Sequence, residues 1–144
     1  MQLGLVDAVN GKPMSWIGPA DVKRDYIYIP DAMRAVAELL TRNEAYGEEW
    51  VVRGSGPVSA SQLAGILTRL LHHEVRVRAA PPWLLRILSF FSKDLRGFMQ
   101  VVPEYVKPIS FDDAKLDRLL GRMARTPYED ALRATTASIQ PARA

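Results

Sequence analysis

Apolar and polar positions change period along this 144-residue chain, and those changes mark its elements. From Arg24 to Ala32 the sequence reads RDYIYIPDA, with Tyr26 and Tyr28 on one side of an extended chain and Ile27 and Ile29 on the other. That alternation predicts a short strand. Pro30 has no N–H for a ladder and ends the strand, and Asp31 is placed to cap the following helix. The helix is expected from Ala32 to about Thr41, with Met33, Val36, Ala37 and Leu40 forming one apolar stripe. Trp50, Val51 and Val52 then run without alternation up to Gly54-Ser55-Gly56-Pro57, which predicts a strand covered on both faces, as in a parallel sheet.

Earlier in the chain, Leu3 to Val9 is apolar and closes at Asn10-Gly11, a helix stop. No capping residue precedes this segment, so Met1 is expected to fall inside a helix, as in a chain cut from something longer. Met14 to Ile17 reads as a short strand before a Gly-Pro turn. Ser59 and Gln62 form a capping box, followed by a stripe of Leu63, Ile66, Leu67, Leu70 and Leu71 that ends at His72-His73. Val75 to Ala79 alternates valine with arginine, a strand with Arg76 and Arg78 facing outward.

Pro81-Pro82 opens an apolar segment, Trp83 to Phe91, that reads as a helix and as core or pocket wall; a second helix is expected from about Leu95 to Val102. Phe111-Asp112 leads into a helix through Leu116, Leu119 and Leu120 that Gly121 stops. Thr126-Pro127-Tyr128-Glu129 combines an N-cap, a first-turn proline and a capping-box glutamate ahead of a helix to about Ser138. Residues 1–138 are thus expected to form one folded unit and 139–144 a frayed tail.

Composition narrows the chemistry. The chain has no cysteine, which excludes disulfides, thiolate metal sites and cysteine nucleophiles. Its two histidines are adjacent, and neighbouring side chains diverge by about 100° on a helix, so His72-His73-Glu74 reads as a solvated helix end and not a metal site. The net charge of +3 admits an anionic ligand, but no basic run or second basic recognition helix points to nucleic acid. No apolar run approaches the roughly 18 residues of a membrane span and no signal-peptide pattern opens the chain; the expectation is a cytoplasmic protein without a membrane span.

The order of these motifs resembles the C-terminal part of the extended short-chain dehydrogenase/reductases, the NAD(P)-dependent epimerase/dehydratase family. Arg24 to Ala32 is similar to that family's R-D-[FY]-[IV]-[YH]-[VI]-x-D corner, and Trp50 to Pro57 to its strand ending in a glycine-rich turn. Ser59 to Leu71 resembles the helix that follows there. Phe111 to Gly121, reading FDDAKLDRLLG, is similar to F-D-x-x-K-x-x-x-x-L-G, and Thr126 to Ala137 to T-P-x-x-x-[AG]-[LI]-x-x-T. The resemblance implies a mixed, helix-rich α/β chain: a substrate-binding lobe plus the last strand of a Rossmann-type sheet, with the N-terminal nucleotide-binding part missing.

Two family features have no counterpart in the sequence. There is no G-x-x-G-x-x-G turn to cradle a dinucleotide phosphate. There is no Tyr-x-x-x-Lys either, because Pro30, Ala32, Trp50, Ile109 and Leu132 stand four residues after the five tyrosines. The resemblance therefore implies NAD or NADP in a full-length parent that transfers hydride between nicotinamide and a substrate carbinol or carbonyl. It implies no catalytic, cofactor-binding or metal-binding residue in this chain, which is expected to be inactive alone. In place of an R-x-G-D-like diphosphate contact stands Ala80-Pro81-Pro82-Trp83, which leaves room for a substrate less polar than a nucleotide sugar.

Substrate-binding candidates are Arg24, Tyr26, Arg78 and Trp83. Arg24 resembles the family's phosphate-contacting arginine, or else forms a surface ion pair with Asp21 or Asp25. Tyr26 lines the pocket or packs on the neighbouring helix. Arg78 meets an anion or faces solvent. Expected partners are a small-molecule substrate and either a second copy, as a homodimer, or the missing N-terminal part, which would cover the Trp50 to Arg53 edge. The alternative reading is a non-catalytic protein-interaction module derived from this fold.

Overall fold

The first helix, α1 (Gln2–Val9), stops where its sequence says: the Asn10 side chain donates to the Val6 carbonyl at 2.9 Å, and Gly11 takes a left-handed φ of 70°. These details come from a computed structural model that describes residues 2–80, 90 and 107–139. Strand β1 (Met14–Ile17) lies against α1. A Cβ at Gly4 would come within 2.8 Å of both the Met14 side chain and the Ser15 carbonyl, so only glycine lets helix and strand approach this closely. β1 pairs in parallel with β2 (Val77–Ala80) in the register Met14–Val77, Ser15–Arg78, Trp16–Ala79, Ile17–Ala80.

Between the strands the chain forms α2 (Ile29–Leu40), a short 3₁₀ turn at Asn43–Ala45 and α3 (Ala60–Leu71). After them come α4 (Ala114–Leu120) and α5 (Tyr128–Ser138). Met14 of β1, Leu5 and Ala8 of α1, Leu63, Ala64 and Leu67 of α3 and Leu132 of α5 share one core with Val58, Ala60 and Val75. Ile139 packs on its edge. Each large side chain buried there contributes roughly 1.5–3 kcal/mol.

The strongest local signals are realised as read. Ser59 Oγ accepts from Gln62 N at 3.2 Å while Gln62 Oε1 accepts from Ser59 N at 3.0 Å, a complete capping box. His72 closes α3 in the left-handed region at φ 56°. Other expectations are overturned. The stretch from Tyr26 to Ile29 is not a strand; only Arg24 makes isolated bridges, antiparallel to Val58 and parallel to Ile109. The helix begins earlier, at Ile29 with Pro30 in its first turn, so Tyr28 holds the N-cap position and Asp31 is inside the helix.

The run from Trp50 to Val52 is not a strand either, and Val51 is 44% exposed. Among the described residues no strand lies beside it, and an extended segment needs a neighbour to complete a ladder. Thr126 likewise does not cap α5, whose N-cap position is Pro127 with no side-chain cap bond. The second strand is set two residues late, from Val77; the residue before it, Arg76, accepts from Met14 N through its carbonyl at 2.8 Å. The helices expected at Trp83 to Phe91 and Leu95 to Val102 lie outside the described residues, apart from Phe90, which is exposed.

Candidate functional site

The corner at Arg24 to Tyr26 is held by backbone on both sides. Arg24 N and O bond Val58 O and N at 3.0 and 2.9 Å, and Asp25 N donates to Ile109 O at 3.0 Å. This clamp turns the Asp25 carboxylate inward, where it is buried. Its Oδ1 accepts from Gly54 N at 3.1 Å and lies 3.3 Å from the Tyr128 hydroxyl, while its Oδ2 has no hydrogen-bond partner among the described residues. Gly54 is obligatory here, since a Cβ would sit 1.9 Å from the Tyr26 carbonyl oxygen and 2.7 Å from Asp25 Oδ1.

Tyr128, in the first turn of α5, closes the corner. Its hydroxyl accepts from Tyr26 N at 3.1 Å and lies 2.6 Å from Gly56 O and 3.1 Å from Tyr26 O. One hydroxyl proton cannot serve all these acceptors, and the short contact makes Gly56 O its main recipient. Burial, with the Asp25 carboxylate beside it adding to the effect, pushes the phenol up to about 12. It is a neutral clasp at ordinary pH, not an acid or base.

A second anchor joins α2 to the start of α5. Asp31 accepts from Thr126 N at 2.7 Å and Thr126 Oγ1 at 2.8 Å, and pairs with Arg34 one helical turn on. With only 4% of its surface exposed, this carboxylate is a buried cross-link. Beside it, Asp113 is held between Arg125 Nη2 at 2.5 Å and Arg53 Nε at 3.0 Å. The first is a hydrogen bond; the second has an ionic distance but not a hydrogen-bonding angle. A cleft of about 580 Å³ opens over these groups, between Arg53–Ser55 and the segment from Asp113 to Pro127.

Of the residues singled out from sequence, Arg24 is half-buried at the clamped corner, and Tyr26 packs edge-to-face on Trp16 of β1, 5.9 Å between ring centroids. Arg78 is exposed on β2, in register with Ser15. Trp83 lies outside the described residues. Asp25, Gly54, Tyr128, Asp113 and Arg125 were not singled out. Asp25 stands inside the same RDY motif, but Gly54 and Tyr128 meet it across 29 and 103 residues of sequence, which periodicity does not encode, and Asp113 pairs instead with Arg125 and Arg53 at the cleft. Among the described residues no group of three His, Asp or Glu could hold a metal ion, and no helix is long and apolar enough to cross a membrane.

No family profile matches the chain. A dTDP-glucose 4,6-dehydratase of Neisseria gonorrhoeae is 26% identical over 133 residues, which cover 92% of this chain and 36% of that enzyme. Among solved structures, UDP-glucuronic acid 4-epimerase from Bacillus cereus in complex with NAD superposes with a TM-score of 0.69 at 17% identity, over 96% of this chain and 38% of the epimerase. The same enzyme in complex with UDP-glucuronic acid and NAD gives 0.72 at 20% identity, over 95% and 38%. The chain thus spans little more than a third of the length of each of these proteins. In sequence and fold it resembles the C-terminal part of the extended short-chain dehydrogenase/reductases, the NAD(P)-dependent epimerase/dehydratase family.

Proposed function

We propose that this chain is the substrate-binding lobe of an NAD(P)-dependent epimerase, dehydratase or reductase, and that the dinucleotide turn and the Tyr-Lys pair reside in polypeptide beyond these residues. One observation carries the reading: almost the whole chain matches little more than a third of a dehydratase, yet contains neither G-x-x-G-x-x-G nor Tyr-x-x-x-Lys. The cofactor, NAD in the Bacillus cereus epimerase, would accept or return hydride at a substrate carbon. This chain's part is to hold and orient that substrate. Arg24 engages its phosphate, with Tyr26, Arg78 and Trp83 as further contacts. A backbone clamp on Arg24 from both Val58 and Ile109 is what a positioning arginine needs, because it fixes where the side chain starts.

Calorimetric titration of the chain tests this directly. UDP-glucuronic acid is expected to bind, about tenfold more weakly after Arg24→Ala, and NADH is not expected to bind in the micromolar range. Micromolar NADH binding overturns the reading. The second reading, a protein-interaction module without chemistry, is favoured by the large apolar side chains that α2 leaves exposed. A G-x-x-G-x-x-G coding frame immediately upstream supports the enzyme lobe, and its absence supports the module. Under either reading a second copy or a nucleotide-binding part is the expected neighbour of the Trp50 to Arg53 segment; a stable monomer at high concentration in light scattering counts against the homodimer.

A further inference from the structure

The corner that carries Arg24 is fixed by more than its backbone. Ile109 N donates to Lys23 O at 3.2 Å, Arg24 pairs both ways with Val58, and Asp25 N donates to Ile109 O. Bonding that alternates between two sides keeps a chain extended, and successive side chains of an extended chain leave on opposite faces. Asp25 is sunk on one face, which commits Arg24 to the other. Two neighbours hold Asp25 there: Gly54 N donates to its Oδ1 at 3.1 Å, and the Tyr128 hydroxyl lies 3.3 Å from the same oxygen. That hydroxyl also accepts from Tyr26 N at 3.1 Å, so both residues that follow Arg24 hang on one phenol.

Stability alone does not account for this arrangement. Asp25 Oδ2 is buried with no hydrogen-bond partner among the described residues, and a half-satisfied buried carboxylate is costly. An apolar side chain would fill the same space without that cost, but it would not fix the rotation of the chain at the corner. We propose that Asp25 and Tyr128 are positioning residues, which set the direction in which the Arg24 side chain meets the substrate. Both act through the backbone that follows Arg24. The inference rests on the substrate-lobe reading, in which Arg24 is a substrate contact.

One test needs no ligand: amide hydrogen exchange of the whole chain, comparing Tyr128→Phe with the parent. Protection at Arg24 and Asp25 is expected to fall about tenfold more than at Leu63 and Leu67 of α3, whereas a global loss of stability lowers all four alike. The other is calorimetric titration with UDP-glucuronic acid, at a temperature where circular dichroism shows every variant folded. Tyr128→Phe and Asp25→Ala are each expected to weaken binding about fivefold. Asp25→Asn, which keeps the acceptor for Gly54 N, is expected to restore most of that loss. In an Arg24→Ala background Tyr128→Phe should weaken binding no further, because its effect passes through Arg24. Thr68→Val removes the acceptor of Val75 N on α3, away from the corner, and should leave affinity unchanged. Additive losses, an equal loss with Thr68→Val, or exchange that rises evenly along the chain overturns the positioning role. Binding weakened by Arg24→Ala but not by Tyr128→Phe sinks this inference alone. Binding indifferent to Arg24→Ala, or absent in the parent, removes the substrate contact and this role with it.

Discussion

Tyr128 shows what a single side chain does in this molecule. Its hydroxyl reaches Tyr26 and Gly56 at once, so it ties the start of α5 to the clamped corner and to the glycine turn. Because the folded phenol is pushed up to about 12 from an ordinary value of 10.0, the folded state retains a proton that the unfolded chain loses first. The resulting stabilisation is fully present below pH 10 and is lost as pH rises from 10 towards 12. Chemical denaturation across that range is expected to show a falling midpoint in the parent, and a flatter profile in Tyr128→Phe. At neutral pH the same variant costs about 1–3 kcal/mol, since Tyr26 N and Gly56 O lose their partner. The residue was visible in sequence only as a first-turn aromatic after Thr-Pro. Nothing local to it indicates that its partners stand 72 and 102 residues away.

At the scale of elements, the sequence was legible wherever the signal is contained in one turn. The capping box at Ser59 and Gln62, the glycine stop after α1 and the end of α3 at His72 were all read from neighbours within four residues. Where a residue type serves both local and distant bonding, the local expectation failed. Asp31 and Thr126 are good N-cap residues, and each was expected to cap its own helix; instead they bond to each other across 95 residues, and both helices begin without a side-chain cap. The cross-link is the better bargain physically, because a buried carboxylate with two donors stabilises two helix starts together. Asp31→Ala is expected to cost about 2 kcal/mol or more in urea denaturation, beyond the ~1 kcal/mol of an ordinary cap loss. Thr126→Val, which keeps the backbone N–H donor, should cost less than Asp31→Ala. Equal, cap-sized losses in both would show that α2 and α5 are not latched here.

For the molecule as a whole, α2 is the element whose surroundings and sequence disagree. Its inner side is narrow, with Asp31 and Ala35 buried, whereas Ile29 and Leu40 are 66% and 63% exposed and Met33 and Val36 lie exposed between them. The larger apolar residues face outward, opposite to what a helix finished by its own core would show. The stripe was read correctly from its spacing; the direction it faces was not, because periodicity identifies an apolar face without saying what covers it. In the Trp50 to Val52 run Val51 is exposed as well, and among the described residues no strand pairs with that run. The chain alone is therefore expected to self-associate or to bind hydrophobic dye strongly. Val36→Glu together with Leu40→Glu should reduce dye fluorescence and shift sedimentation towards the monomer, while leaving the thermal midpoint within a few degrees, since neither side chain is buried. If the double variant instead melts far below the parent, those side chains are buried in the native chain and α2 faces the other way. That outcome would also remove the observation favouring an interaction module and leave the substrate-lobe reading without its rival.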